Sequence, residues 1–303
     1  MNTLVTAIYN HSPHSRIGGR GYRWEDYIAP FENLIHLGCN IVVYTQDDLV
    51  QVIQEYFNKK AFFNYKVIPY NLDNYKHSDS IYKLKEFYNI IDKNGLAEGR
   101  SIVDNDRNYH LCLSKTYFVS EVIKNNYFES ERYYWIDGGL FHHGLFPESL
   151  GGIERRTVPN PDNYWPQNKK SLCNPLFFEK LNTKVKDKLL FIGIDSYYSR
   201  HFSLIKSNLA GPDKVTHVVG GLFGGDKNKV LELCEKFDDK ISQVISAKIL
   251  TLEEEVLSIV YEENFLDQDY IKFSDWGHDI PTERNYLGVQ PGSNSFYKIF
   301  KDE

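Results

Sequence analysis

Apolar runs alternate with amphipathic stretches from the first residues onward. Thr3–Tyr9 is apolar and β-branched and stops at Asn10, which predicts a buried strand. Trp24–Leu37 then sets Tyr27, Ile28, Phe31, Leu34, Ile35 and Leu37 at helical spacing, and Gly38 closes that helix. Asn40–Thr45 (NIVVYT) predicts a second strand, Asp47–Phe57 a second amphipathic helix and Phe63–Pro69 (FNYKVIP) a third strand. This β-α-β-α-β order implies a mainly parallel sheet with helices on both faces, and ligands at the carboxyl ends of its strands.

Further along, helix is expected over Ile81–Ile91, a loop over Asp92–Asn108 and a helix over Ser114–Asn125, with Tyr117, Phe118, Val122 and Ile123 as its apolar face. Tyr133–Asp137 (YYWID) predicts an aromatic strand ending in an acid, followed by Gly138 and Gly139. Residues 147–188 are rich in proline, asparagine and charge, the profile of a loop-and-short-helix insert. Strands are expected at Leu189–Ile194, Val215–Val219 and Tyr270–Phe273. Helices are expected from Asp226 to about Ile245 and over Thr251–Glu263. With no internal repeat or low-complexity linker, the 303 residues read as one domain, a nucleotide-binding half at 1–139 and an acceptor-binding half at 140–303.

Composition narrows the class. Hydrophobic residues are 42% and charged residues 25%, enough for a full core and unlike a disordered chain. Lys plus Arg number 35 against 41 Asp plus Glu, a net charge of −6 with no basic block, which argues against nucleic acid as the main ligand. Cys39, Cys112, Cys173 and Cys234 are far apart and have no zinc-type spacing, so they read as reduced core thiols. The first residues lack a signal-like pattern and no apolar run nears the roughly 18 residues of a membrane span, so the cytoplasm is the expected compartment. Aromatic residues at 15% suit sugar-stacking platforms as well as a plain compositional bias.

Four places carry candidate chemistry. Asp137, at a strand end beside two glycines, suits a divalent ion or a ribose hydroxyl; a turn-initiating aspartate reads the same way. Arg16, Arg20 and Arg23, interleaved with Gly18, Gly19 and Gly21 after the first strand, suit a diphosphate, or form a solvated loop. The run GGLFGG at Gly220–Gly225 lies far from the first strand and so is no dinucleotide fingerprint; a helix-entry turn with Asp226 as N-cap is one reading. Thr251 and Glu254 match a capping box.

The stretch SKTYFVSEVIKNNYFESERYYWIDGGL resembles the signature of GT-A nucleotide-sugar glycosyltransferases, in which a helix precedes a strand ending in an acidic D-x-D metal motif. More narrowly, TLVTAIYN, NIVVYT, YYWIDGGL and LEEEVLSIVY resemble the HtrL/YibB family of bacterial proteins, associated with surface-polysaccharide and lipopolysaccharide gene clusters. The resemblance implies an α/β GT-A-like fold and transfer of a sugar from a nucleoside-diphosphate sugar to a glycan or glycolipid acceptor. It also implies a site in the cytoplasm or at the inner face of the membrane.

Residue roles follow from the same resemblance. Thr6, Arg20, Arg23, Lys115, Asp137, Gly138, Gly139, Gly220 and Gly221 would bind the donor, Lys115 reaching its phosphates and the glycines leaving room for a pyranose ring. Glu253 or Glu254 would orient or deprotonate the acceptor. Asp137 would hold Mn²⁺ or Mg²⁺, but Gly139 stands where D-x-D has its second acid, so other ligands are needed. His278 resembles a C-terminal metal ligand, with Asp275 and Asp279 as substitutes; His142 and His143 read as ordinary surface or core residues. A non-catalytic glycan-binding protein and a metal-dependent phosphohydrolase are the alternatives from other classes.

Overall fold

Strand β1 (Asn2–Ile8) lies between β2 (Asn40–Thr45) and β4 (Arg132–Ile136) and runs parallel to both. Strand β3 (Tyr65–Pro69) adds to β2, again parallel. The computed structural model describes residues 1–10, 34–84, 106–137, 176–194, 217–218, 220–249, 251, 253–265 and 271–273. With β5 at Leu189–Leu190 and β8 at Leu222–Asp226, the six-stranded sheet among them has the order β3-β2-β1-β4-β8-β5. Here β8 is antiparallel to both β4 and β5. A second, three-stranded sheet joins β6 (Ile192–Ile194) to β7 (His217–Val218) and β9 (Ile271–Phe273).

Side-chain alternation along β1 shows how the layers form. Val5, Ala7 and Tyr9 share one core with residues of α2 (Asp106–Asn125), α4 (Lys227–Ser246) and α5 (Glu253–Asn264). Leu4 and Ile8 share the other with α1 (Asp47–Lys59) and α3 (Leu176–Val185). The α/β sheet expected from the alternating pattern is thus present, covered on both faces. Its strands come from both sequence halves, since β5 and β8 complete the sheet that β1–β4 begin.

Local signals held where they were specific. Gly38, at φ 68°, ends the helical turn at residues 34–37, and the Asp226 carboxylate accepts from the N–H groups of Asn228 and Lys229 as the N-cap of α4. Three expectations shift. Helix α2 begins at Asp106 instead of Ser114, so the loop expected up to Asn108 ends earlier; the packing of buried His110 and Leu113 extends the helix backward. Leu189–Ile194 is two strands in two sheets, parted at the fully buried Phe191. GGLFGG supplies a strand inside the sheet in place of a simple helix-entry turn.

That strand depends on glycine. Gly224 and Gly225 have φ of 152° and 143°. A Cβ on Gly224 would fall 2.2 Å from the Tyr133 carbonyl oxygen, and one on Gly225 2.4 Å from that of Lys188. Backbone is the obstacle in both cases, so no rotamer change relieves it. Gly224→Ala is therefore expected to destabilise the protein by about 3 kcal/mol or more. Urea unfolding should show a lower midpoint with an unchanged slope; an unshifted midpoint would mean that β4 and β8 do not pair this closely.

Candidate functional site

The strand order places a switch point at β1. The chain proceeds from β1 to β2 and β3 on one side, and β4 lies on the other, so the carboxyl ends of β1 and β4 flank the crevice where open α/β sheets bind ligands. The neighbouring strand ends are tied together there. Thr45 Oγ1 donates to the Ile8 carbonyl at 2.6 Å, Asn10 N–H to Gln46 Oε1 at 2.8 Å, and Tyr9 Oη to the Tyr70 carbonyl at 2.9 Å.

Asp137 follows β4 directly. Its N–H donates to the Gly221 carbonyl at 2.9 Å, which fixes the backbone, and the indole Nε1–H of Trp135 donates to Oδ1 at 2.7 Å. Trp135 belongs to the core on the α2 side and Ile136 to the opposite one, so alternation returns Asp137 to the α2 side. Its side chain stays 29% exposed.

Facing it is Lys115. The apolar face of α2 includes Phe118, Val119 and Val122, and Lys115, one turn earlier, lies on that same face. Helical periodicity thus buries this lysine, leaving it 5% exposed. Its Nζ lies 3.0 Å from Asp137 Oδ1, 2.7 Å from Glu253 Oε1 and 3.1 Å from the Gly220 carbonyl. An ammonium has three N–H donors, and these acceptors use all three. Burial works to lower the Lys115 pKa, but Asp137 and Glu253 outweigh it and hold the ammonium protonated well above its ordinary 10.5.

Helix α5 brings two further carboxylates. Glu253 is 6% exposed, and burial pushes its pKa above the ordinary 4.5 against the pull of Lys115, with Glu254 and Asp137 adding to the rise. Glu254 is half-buried, and its Oε1 accepts from Gly220 N–H at 3.1 Å. Gly220 is thereby held at both its N–H and its carbonyl. A Cβ there would lie 2.8 Å from Glu253 Oε1, so the missing side chain leaves room for the Glu253 carboxylate. Thr251 donates its hydroxyl proton to Glu255 Oε2 at 2.6 Å. Ser258 accepts from Val218 N–H at 2.8 Å, tying α5 to β7. Cys112, one turn before Lys115 on α2, is kept a thiol by burial and the adjacent Glu253 carboxylate.

Lys115, Asp137, Gly220, Gly221, Glu253 and Glu254, six candidates scattered through the sequence, thus converge at one place. Thr6 does not join them: it is fully buried in β1 on the face of Leu4 and Ile8, opposite Asp137. Arg16, Arg20, Arg23, Gly138, Gly139, His142, His143, Asp275, His278 and Asp279 lie outside the described residues. Lys115, expected to reach the donor phosphates, is a buried ammonium whose three donors are met by Asp137, Glu253 and the Gly220 carbonyl. Trp135 is the partner the sequence reading missed. Its signal was the i, i+2 spacing that puts Trp135 and Asp137 on one side of a strand.

A divalent ion fits this donor set poorly. Among the described residues no group of three His, Cys, Asp or Glu side chains is placed to hold one. At Asp137 itself the ammonium of Lys115 lies 3.0 and 3.2 Å from the two carboxylate oxygens, where a cation would sit.

Similarity to known proteins bears on the same region. Residues 19–150 match the model of the family described as "Bacterial protein of unknown function (HtrL_YibB)". This stretch contains NIVVYT and YYWIDGGL, two of the four segments on which the sequence resemblance rests. No curated protein matches the chain. Among solved structures, the chain is similar to mouse xyloside xylosyltransferase 1 at 10% identity and TM-score 0.45, covering 99% of this chain and 94% of that one. It is also similar to 4-diphosphocytidyl-2C-methyl-D-erythritol synthase from Anaerococcus prevotii, at 13% identity and TM-score 0.41, covering 95% and 96%. A third is a glucose-1-phosphate thymidylyltransferase of Bacillus anthracis, described there as putative, at 8% identity and TM-score 0.40, covering 96% of each chain. With TM-scores below 0.5 these likenesses assign no activity to the chain. No helix among the described residues is long and apolar enough to cross a membrane.

The network predicts unequal costs for its members. Lys115→Met leaves the buried Glu253 carboxylate without its cation and Asp137 with Trp135 alone, and should cost about 3–5 kcal/mol. Glu253→Gln retains an acceptor for Lys115 and should cost below about 1.5 kcal/mol. The sign with pH follows from the raised Glu253 pKa: the folded state keeps a proton that the unfolded chain loses. This contribution is complete below the ordinary 4.5 and is lost as pH rises through the folded value. Urea melts of wild type and Glu253→Gln between about pH 4 and pH 7 should show the variant gaining on wild type as pH rises; a constant difference would place Glu253 at its ordinary pKa.

Proposed function

We propose that the protein is a glycosyltransferase that moves a sugar from a nucleoside-diphosphate sugar to a glycan or glycolipid acceptor of a bacterial surface polysaccharide or lipopolysaccharide. The observation that carries the reading is Asp137: a partly exposed carboxylate at the switch point of a mainly parallel sheet, its orientation fixed by Trp135 and Lys115. The resemblance in sequence to GT-A enzymes around the same residue supports it, and the stretch matched by the HtrL_YibB model includes Asp137.

In this reading the lone pairs of Asp137 not used by Trp135 and Lys115 accept from a ribose or sugar hydroxyl of the donor, which orients it over the crevice. Arg20 and Arg23, which follow β1 in sequence, would meet the charge of the diphosphate through bidentate contacts. An acceptor hydroxyl is far too weak an acid to ionise near neutral pH, so it needs its proton removed as it attacks. Glu254 is better suited to this than Glu253, because Glu253 is buried against Lys115 while Glu254 is only half-buried. The new bond forms between the acceptor oxygen and the anomeric carbon. The bond from that carbon to the diphosphate oxygen breaks, the diphosphate keeps the electron pair, and the acceptor proton passes to Glu254. A divalent ion on the diphosphate would supply charge neutralisation; among the described residues no three side chains are grouped to hold one, and no step here depends on it.

Two variants test the reading. Asp137→Asn, which keeps an acceptor for Lys115, is expected to remain folded yet lose transfer, and to lose the rise in melting temperature that the matching nucleotide sugar gives wild type. Full turnover in the folded variant would remove Asp137 from the mechanism. Glu254→Gln should lower turnover by on the order of 10²–10⁴ with the donor-induced thermal shift retained. An unchanged rate would remove Glu254 as the base, and a panel of nucleotide sugars in which none shifts wild type or is turned over would defeat the transferase reading itself.

A further inference from the structure

We infer that the Lys115 ammonium is the resident cation of this site, a permanent occupant of the position on Asp137 that a divalent metal ion would otherwise take. The inference deepens the transferase reading at the same site, but it is read out by cation binding and stands or falls without turnover.

Four observations lead to it. Lys115 Nζ lies within hydrogen-bonding distance of Asp137 and Glu253 at once, 3.0 and 2.7 Å away, so it sits between two carboxylates that come from β4 and α5. Its remaining donor goes to the Gly220 carbonyl at 3.1 Å, an oxygen of the kind that completes a hard-cation shell. The position is built: Lys115 and Glu253 are more than nine-tenths buried, and Gly220 lacks the Cβ that would displace Glu253. Finally, the residue two positions after Asp137 is Gly139, which offers no second carboxylate to outbid an ammonium with a dication.

Two carboxylates and a carbonyl around one buried point form a hard-oxygen cage for a cation, and the chain fills it with its own side chain. A metal ion at Asp137 would have to stand beside a fixed positive charge or expel it from a shell in which every N–H is satisfied. Lys115 is accordingly a positioning residue. It holds Asp137 ready for a hydroxyl and leaves the diphosphate charge to groups elsewhere.

Mn²⁺ titration followed by electron paramagnetic resonance tests this with the whole chain and the metal alone. Wild type and Asp137→Asn should bind Mn²⁺ alike, because an ion held elsewhere in the chain does not use Asp137. Lys115→Ala should empty the cage and expose two carboxylates, raising Mn²⁺ affinity about tenfold or more over wild type. The gain should vanish in Lys115→Ala/Glu253→Gln. Should Lys115→Ala fold only when Mn²⁺ is added, the same conclusion follows from its melting temperature. Mn²⁺ binding in wild type that Asp137→Asn abolishes would overturn the inference, as would a folded Lys115→Ala with no gain in affinity. Should Lys115→Ala fail to fold with or without the ion, the wild-type and Asp137→Asn comparison decides alone.

Discussion

One buried ammonium joins three distant parts of this chain. Lys115 reaches from α2 to the end of β4 at Asp137, to the start of α5 at Glu253 and to the Gly220 carbonyl ahead of β8. A charge at this depth is tolerated only if every donor is met, and a lysine with three acceptors meets that condition. The constraint acts in both directions. Asp137 and Glu253 cannot drift without leaving a charge unpaired, so the positions of α5 and of the turn before β8 are set by the same group that orients the exposed carboxylate.

The antiparallel strand makes this convergence geometrically available. Parallel strands β1 to β4 alone would leave Asp137 at a sheet edge. Pairing of β8 with β4 carries the chain back past it, so the residues just before β8, Gly220 and Gly221, arrive beside Asp137. Gly224 and Gly225 let β8 lie close against both neighbours, and their glycines serve the sheet while Gly220 serves the site. A single run of six residues therefore contains two unrelated uses of the missing side chain.

The electrostatics of the network shape what the crevice suits. Two carboxylates meet the Lys115 ammonium and a third, Glu254, holds Gly220 N–H close by, so the network presents carboxylate oxygen to the crevice with Asp137 as its exposed face. Such a face accepts hydroxyl protons well and would repel a bare diphosphate. In the proposed transfer, recognition of sugar or ribose hydroxyls accordingly falls to Asp137, and recognition of phosphate to Arg20 and Arg23. Burial and the charge of Glu253 also push the Cys112 thiol well above its ordinary range, which keeps it protonated beside this network.

What the sequence determined by itself was whatever depends on near neighbours along the chain. The alternation of apolar runs gave β1, β2, β3 and β4 to within a residue or two, Gly38 and Asp226 marked helix ends through backbone freedom and capping, and a strand ending at Asp137 pointed to the crevice. Tertiary structure decided whatever depends on the partner. GGLFGG shows no strand periodicity because its β geometry comes from pairing with Tyr133 and Tyr134, and Leu189–Ile194 divides because its two ends pair in different sheets. Lys115 read as a group for donor phosphates or a solvated lysine because a charged residue on a helix is usually near solvent. Only the arrival of Asp137, Glu253 and Gly220 from 22, 138 and 105 residues away supplies the acceptors that make its burial stable.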